Sequence, residues 1–146
     1  MVYEDLQEKH ILKLGKLYMD AFSSPPWNEK WTLELVSKRL LQMVHCEGFY
    51  GLVCYENNEI IGMILGNHEY FYTGMQFIIK EFCIDSRLHG KGVGSALLDE
   101  FLLRLKNKGI DEVILNTLRS NETEGFYNNR GFRSLNNMVV MGKQLK

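Results

Sequence analysis

Residues 82–98 read FCIDSRLHGKGVGSALL, which joins the end of an apolar strand, a glycine-rich turn and the start of an amphipathic helix. Glycines stand at three alternate positions of this turn, Gly90, Gly92 and Gly94. Because they lack Cβ atoms, a ligand can approach the backbone and successive N–H groups can point into one concavity. The helix that follows adds the positive end of its dipole. The stretch therefore predicts an anion site, most simply one for a phosphate or pyrophosphate.

Two common phosphate-binding motifs do not describe this turn. A Walker loop ends in Gly-Lys-Ser/Thr, whereas neither of the two Gly-Lys pairs, at Gly90 and at Gly142, is followed by Ser or Thr. The dinucleotide fingerprint G-x-G-x-x-G has Ser95 at its third glycine position, and too little chain follows for a doubly wound sheet. A tight turn without a ligand needs only one glycine, so three glycines favour a binding role.

The turn resembles the acetyl-CoA loop of the GNAT superfamily of N-acetyltransferases, usually written Arg/Gln-x-x-Gly-x-Gly/Ala. His89, Gly92 and Gly94 occupy its defined positions, with His89 where the family usually has Arg or Gln. The segment FYNNRGF, from Phe126 to Phe132, is similar to a second family signature, Phe/Leu-Tyr-x-x-x-Gly-Phe. The resemblance covers nearly the whole chain and is most specific over residues 82–132. It implies acetyl-CoA as the cosubstrate.

Length and composition indicate an ordinary globular chain. Its 146 residues suit a single domain over residues 1–146, with 45% hydrophobic and 24% charged residues. The net charge of −1 gives no electrostatic basis for a nucleic-acid or membrane partner, and no apolar run approaches a membrane span. The N-terminus lacks the features of a signal peptide. Cys46, Cys54 and Cys83 have no CxxC spacing, and the four histidines have no ligand spacing. We therefore expect reduced thiols in the cytoplasm and no metal site.

Hydrophobic periodicity predicts an α+β fold. Two helices come first, over residues 6–22 and from Leu33 onward with Thr32 as the N-cap. The later elements are predicted strands at 49–55, 60–70 and 75–84, a helix at 94–108, a strand at 113–115, a short helix ending at Gly131 and two final strands. This order predicts one mixed, mostly antiparallel central sheet of about six to seven strands, flanked by about four helices in a GNAT-like three-layer arrangement. The resemblance implies a splay between the strands at 75–84 and 112–117.

An aromatic loop follows the first predicted helix and Pro25-Pro26. It contains Trp27, Glu29 and Trp31. The indoles could simply cover the core, or they could form the wall of an acceptor pocket in which Glu29 holds a substrate cation. Many GNAT enzymes shape their acceptor site with the first helix–loop–helix unit, so the resemblance favours substrate binding by Trp27, Glu29 and Trp31.

Two side chains are candidates for proton transfer. Acetyl transfer to an amine requires that the amine lose a proton and that the leaving thiolate receive one. The resemblance implies that Tyr127 lies near the thioester sulfur, where a phenol that is protonated at neutral pH can act as the acid. Glu81 lies one residue before Phe82, and burial would raise its pKa enough to accept a proton, directly or through water. Alternatively Glu81 pairs with a lysine such as Lys80 or Lys108, and ordered water is the base. Cys83 is expected to be packing rather than a nucleophile.

The resemblance also implies a set of cofactor contacts. Backbone groups of Phe82, Cys83 and Ile84 would pair with the pantetheine arm as an added strand. Asn121 lies six residues before Tyr127, whereas the family's loop asparagine usually lies seven before, at the position of Ser120; either could brace the arm. The expected cofactor-binding residues are Phe82, Cys83, Ile84, His89, Gly90, Lys91, Gly92, Val93, Gly94, Ser95, Asn121, Phe126 and Tyr127.

Two functional interpretations follow. The first is an N-acetyltransferase that moves the acetyl group of acetyl-CoA onto a primary amine of a small molecule or peptide by direct attack in a ternary complex. The second is a catalytically silent acyl-CoA-binding or sensor module on the same fold. Both use the glycine turn, but only the first needs Tyr127 and a base. Homodimers are common among similar proteins, so a homodimer is an expected assembly.

Overall fold

The computed structural model describes residues Met1–Lys146, which separate into two compact units, Met1–Asn116 and Thr117–Lys146. A single domain over residues 1–146 stays a prediction. The first unit contains β1 (Val2–Asp5), α1 (Ile11–Phe22), α2 (Leu33–Val44), β2 (Phe49–Glu56), β3 (Glu59–Phe71), β4 (Gly74–Ile84), α3 (Val93–Asn107) and β5 (Glu112–Leu115). Short 3-10 helices at Glu8–His10 and Ser86–Leu88 precede α1 and α3. The second unit contains α4 (Thr123–Asn128).

The sheet of the first unit has five strands in the order β1-β2-β3-β4-β5. Neighbours from β1 to β4 are antiparallel, and β5 runs parallel to β4 because α3 provides the crossover between them. The predicted α+β class with one mixed, mostly antiparallel sheet and four helices is therefore confirmed. None of the helices has the length and apolarity required to cross a membrane.

Helices cover both faces of the sheet. Leu14, Tyr18, Val36 and Leu40 project from α1 and α2 and are buried against one face, where they share a core with Leu65. On the other face Phe77 of β4 packs edge-on against Phe101 of α3, with ring centroids 5.5 Å apart. Each helix carries its apolar residues on one side, which is what a helix covering a sheet requires. Thr32 caps α2 as predicted, because its hydroxyl accepts a hydrogen bond from the Leu35 amide at 3.2 Å.

Both chain ends differ from the prediction. The first strand, β1, was missed, and α1 begins at Ile11 instead of residue 6. The two final strands do not form: the chain has no strand after Leu115, so the sheet has five strands instead of six or seven. Alternating apolar residues indicate a strand only where a partner supplies the ladder and covers one face. In the described chain Val139, Val140 and Met141 are at least 77% exposed.

The glycine at position 66 allows β3 and β4 to approach closely. A Cβ atom at Gly66 would lie 1.9 Å from the Ile78 carbonyl oxygen and 2.8 Å from the Phe77 ring. We expect Gly66→Ala to lower the free energy of unfolding by about 3 kcal/mol, because the backbone of β4 must move to admit the methyl group.

Chemical denaturation would measure this effect. The matched control is Gly142→Ala, since a Cβ atom there would meet nothing within 4 Å. Equal stability of the two variants would contradict the close approach of the strands at Gly66.

Candidate functional site

A bulge in β4 determines the face on which Glu81 lies. In the pairing of β3 with β4, Gly66 is opposite Ile79 and Leu65 is opposite Glu81, so Lys80 is an extra residue. Strict alternation would have placed Glu81 on the same face as Ile79, towards α3. The extra residue reverses the alternation, and Glu81 joins Leu65 on the face covered by α1 and α2. The sequence pattern did not reveal this bulge.

Glu81 is buried and held by two donors. Its side chain is 6% exposed, and its Oε1 accepts hydrogen bonds from the Tyr18 hydroxyl at 3.0 Å and the Arg39 Nε at 2.5 Å. Burial raises the pKa of the Glu81 carboxyl, although Arg39 and Tyr18 act in the opposite direction. The carboxylate is thus desolvated, as predicted.

The charge partner of Glu81 is different from the lysines considered from the sequence. Lys80 is exposed, and the Lys108 ammonium lies 4.3 Å from the centre of the Tyr50 ring. Arg39 forms the ion pair instead. Sequence analysis missed both Arg39 and Tyr18. A signal existed for Arg39, because it lies three residues after the buried Val36 and so borders the apolar stripe of α2.

The aromatic loop contributes Trp31 and Glu29 to the surroundings of Glu81. The Trp31 ring lies edge-on to Tyr18 with centroids 5.1 Å apart, and the Arg39 guanidinium lies 5.7 Å from the Trp31 ring centre. The Trp31 indole N–H donates to Oε1 of the exposed Glu29 at 2.9 Å. Trp27 packs edge-on against Phe22 at 5.5 Å instead. Trp31 therefore contacts both residues that donate to Glu81, and Glu29 is hydrogen-bonded to Trp31. Trp27 reaches Tyr18 through Phe22, whose ring centroid lies 4.7 Å from that of Tyr18.

The turn between β4 and α3 is organised by Asp85. Its carboxylate accepts a hydrogen bond from the Arg87 amide at 3.0 Å and pairs with the Arg87 guanidinium at 2.6 Å, which lowers the Asp85 pKa. Asp85 therefore closes the turn. The side chains of His89 and Lys91 are exposed, and the Lys91 amide donates within the turn to the Leu88 carbonyl at 3.3 Å.

Gly90 and Gly92 give the turn its open backbone. Their φ angles are 79° and 82°, in the left-handed region, and a Cβ atom at either position would meet nothing within 4 Å. Gly92 is the N-cap of α3, and the first hydrogen bond of the helix runs from the Ala96 amide to the Gly92 carbonyl. The preceding amides of Val93, Gly94 and Ser95 therefore have no acceptor within the helix. They form a cluster of donors at the positive end of a 15-residue helix.

The strands part where the turn begins. The parallel ladder between β4 and β5 ends at Ile79–Leu115, whereas the ladder between β3 and β4 continues to Ile84. The ladder with β5 therefore stops five residues before the end of β4, as the predicted splay requires. Cys83 lies in this last part of β4, and its thiol is buried, which strongly raises its pKa. Such a thiol is a poor nucleophile, as expected.

The second unit contains Tyr127 in α4. Its ring packs edge-on against Phe126 and Phe132, with centroids 5.2 Å and 5.6 Å apart. Burial raises the pKa of Tyr127 to about 12, so its hydroxyl stays protonated at neutral pH. The Ser120 hydroxyl accepts a hydrogen bond from the amide of Thr123, the first residue of α4, at 3.1 Å, whereas the Asn121 side chain is exposed.

The residues of the first unit fit an extended thioester with a diphosphate. The open space beside Gly90 and Gly92 admits phosphate oxygens, and the amides at the start of α3 supply donors for them. The ladder between β4 and β5 stops at Ile79, before the last residues of β4, where the resemblance places the pantetheine arm. Both features are backbone features, so the substitution of His89 for the usual Arg or Gln leaves them intact.

Comparisons with known proteins agree with this geometry. A family model described as an acetyltransferase (GNAT) domain matches residues 4–142. A possible acetyltransferase from Clostridium difficile 630 has a TM-score of 0.84 at 11% identity, covering 99% of this chain and 98% of that chain. The aminoglycoside acetyltransferase meta-AAC0020 from an uncultured soil metagenomic sample, in complex with sisomicin, has a TM-score of 0.75 at 18% identity and covers 99% and 96%.

A GNAT family acetyltransferase from Staphylococcus aureus subsp. aureus USA300_TCH1516 has a TM-score of 0.73 at 23% identity, covering 99% of this chain and 98% of that chain. These likenesses show a shared fold. No curated protein sequence matches the chain. Because the family model spans nearly all of the sequence, the resemblance seen in residues 82–132 is confirmed, and the chain belongs to the GNAT acetyltransferase family.

Proposed function

We propose that this protein is an acetyl-CoA-dependent N-acetyltransferase that acetylates a primary amine by direct attack in a ternary complex. The observation that carries the proposal is the cluster of Val93, Gly94 and Ser95 amides beside Gly90 and Gly92, at the end of a strand that parts from its neighbour. Bound acetyl-CoA would supply the acetyl group as a thioester, so that a C–N bond forms as the C–S bond breaks.

The residues of the turn and of β4 have the binding roles. The amides of Val93, Gly94 and Ser95 hold the diphosphate, because helix N-termini favour anions. The backbone of β4 beyond Ile79 aligns the pantetheine arm as an added strand. In the second unit, the exposed amide of Asn121 is the better candidate for bracing the arm, since the Ser120 hydroxyl is already engaged.

Glu81 and Tyr127 have the proton-transfer roles in this proposal. Glu81 takes the proton that the amine loses, directly or through water, because burial brings the carboxyl pKa closer to neutrality. Tyr127 donates at the leaving sulfur, because its pKa of about 12 keeps the phenol protonated throughout the physiological range.

The surroundings of Glu81 favour a cationic, partly apolar acceptor. Trp31 offers an aromatic surface, and Glu29 is an exposed carboxylate hydrogen-bonded to it. Polyamines, amino acids, aminoglycosides and protein N-termini all present such an amine. One structural neighbour is an aminoglycoside acetyltransferase in complex with sisomicin, so sisomicin belongs in the set of acceptors to be tested.

A screen of amines tests the proposal directly. We expect acetyl-CoA to raise the melting temperature and at least one cationic amine to raise it further, with release of free CoA thiol on mixing. Binding of acetyl-CoA without thiol release for any amine would contradict the proposal and favour a silent acyl-CoA-binding module.

Replacement of Gly92 tests the anion site. We expect Gly92→Val to weaken acetyl-CoA binding by about 100-fold or more, because a side chain at this position enters the space beside the helix amides. Calorimetry would measure the dissociation constant. Gly109→Val is the matched control: Gly109 has φ of 88°, open surroundings and a place at the other end of α3. The Gly109→Val variant should lose comparable stability and keep normal affinity for acetyl-CoA. Equal affinity of the two variants for acetyl-CoA would contradict the proposed anion site at Gly92.

Replacement of Tyr127 tests the proposed acid. Tyr127→Phe should lower kcat by about 100-fold or more while leaving acetyl-CoA affinity nearly unchanged, because only the transferable proton is lost. Tyr72→Phe is the control, since Tyr72 is 90% exposed on the hairpin between β3 and β4. Unaltered turnover of Tyr127→Phe across several accepted amines would exclude Tyr127 as the acid.

A further inference from the structure

We propose that Arg39 is a positioning residue for Glu81, which fixes one carboxylate oxygen so that the other receives the proton, and that Trp31 couples this arrangement to the acceptor. The inference rests on the proposed function, in which Glu81 is the base. Neither Arg39 nor Tyr18 was predicted as part of the site.

The hydrogen bonds to Glu81 are asymmetric. The Tyr18 hydroxyl and the Arg39 Nε both donate to Oε1. Because both donors are engaged with Oε1, we assign the proton-accepting role to Oε2. The donors come from α1 and α2, two different helices, which prevents the carboxylate from rotating about its Cγ–Cδ bond. A substrate ammonium group can therefore meet Oε2 in one orientation.

Arg39 also contacts Trp31, which is proposed to line the acceptor site. Its guanidinium lies over the Trp31 ring, and Trp31 in turn packs against Tyr18 and holds Glu29 through its indole N–H. The same aromatic ring thus touches both donors of Oε1 and the exposed carboxylate proposed to attract the amine. A cation bound beside Glu29 would lie next to the residues that orient the base.

The charged and titratable groups around Glu81 determine the sign of the pH effect. They are Tyr18 of α1, Glu29 of the loop, Arg39 of α2, and Cys83 on the same strand. Arg39 and Tyr18 favour the ionised carboxylate, whereas burial and Glu29 favour the protonated one. Removal of Arg39 leaves the Tyr18 hydrogen bond to oppose the effects of burial and Glu29, so the pKa of Glu81 should rise further.

The experiment combines a direct titration with kinetics. Carbon-13 NMR of the protein without acetyl-CoA follows the Glu81 carboxyl resonance, identified by its loss in Glu81→Gln. The pH profile of kcat and KM for one accepted amine is then compared among Arg39→Met, Arg39→Lys, Tyr18→Phe and the control Lys38→Met. Lys38 is the adjacent cation on α2, and it pairs with the exposed Glu34.

We expect Arg39→Met to raise the NMR pKa of Glu81 and the midpoint of the acidic limb of kcat by about one pH unit. On the plateau above that limb kcat should fall about 10-fold with KM for acetyl-CoA unchanged, because Oε2 is no longer held in place. Arg39→Lys should recover part of both effects, Tyr18→Phe should show them in weaker form, and Lys38→Met should show neither. If Arg39→Met does not fold, Arg39→Lys and Tyr18→Phe can still be compared with Lys38→Met.

Two results would overturn the inference in different ways. If the Arg39 and Tyr18 variants fold and keep the Glu81 pKa and the plateau kcat unchanged, Arg39 and Glu81 form only a structural ion pair. Loss of activity in Glu81→Gln would in that case still support Glu81 as the base. Full activity of Glu81→Gln with an unaltered pH profile would instead remove the base itself, and with it any catalytic role for Arg39.

Discussion

The carboxylate of Glu81, buried on β4 beneath α1 and α2, is the constraint to which the first unit responds. Taking Glu81 out of water costs several kcal/mol unless donors replace the lost hydration. Arg39 and Tyr18 are those donors, and they come from two helices that are separate in sequence. The Glu81 carboxylate therefore has both of its donors only when α1 and α2 are both packed on the sheet. The electrostatics of the site thus depend on the packing of the core. Removing one partner of a buried ion pair typically costs more stability than the intact pair contributes, because the other charge stays buried without a partner.

One irregularity in β4 lies where two parts of the candidate site meet. The ladder with β5 stops at Ile79, Lys80 is the extra residue of the bulge, and Glu81 follows immediately on the opposite face. A bulge bends its strand and increases the local twist. The same residue that turns Glu81 towards α1 and α2 thus coincides with the point at which β4 leaves β5. The proposed base and the proposed place of the pantetheine arm are therefore adjacent along β4.

How well a feature could be predicted from the sequence depends on how far apart along the chain its interacting residues lie. The turn at Gly90 and Gly92, the cap at Thr32 and the organising role of Asp85 depend on neighbours a few residues away, and all three are present in the structure. The bulge depends on the register of two strands, which alternation cannot express. Arg39 was overlooked because its partner is 42 residues away along the chain. The expected final strands have suitable residues, but a strand exists only with a partner, which no local pattern specifies.

The near-neutral charge of the chain is compatible with a proposed anion site that consists of backbone amides. With a net charge of −1, the protein has no overall field to concentrate a diphosphate at its surface. Near the turn, His89 and Lys91 are exposed side chains, and charges in water are screened within about 10 Å at ordinary salt. Amides fixed at the start of α3 act differently, because they are short-range, directional and already oriented before the ligand arrives. Affinity that comes from such donors depends on the shape of the turn, which Gly90 and Gly92 permit because they adopt positive φ angles and have no Cβ atom.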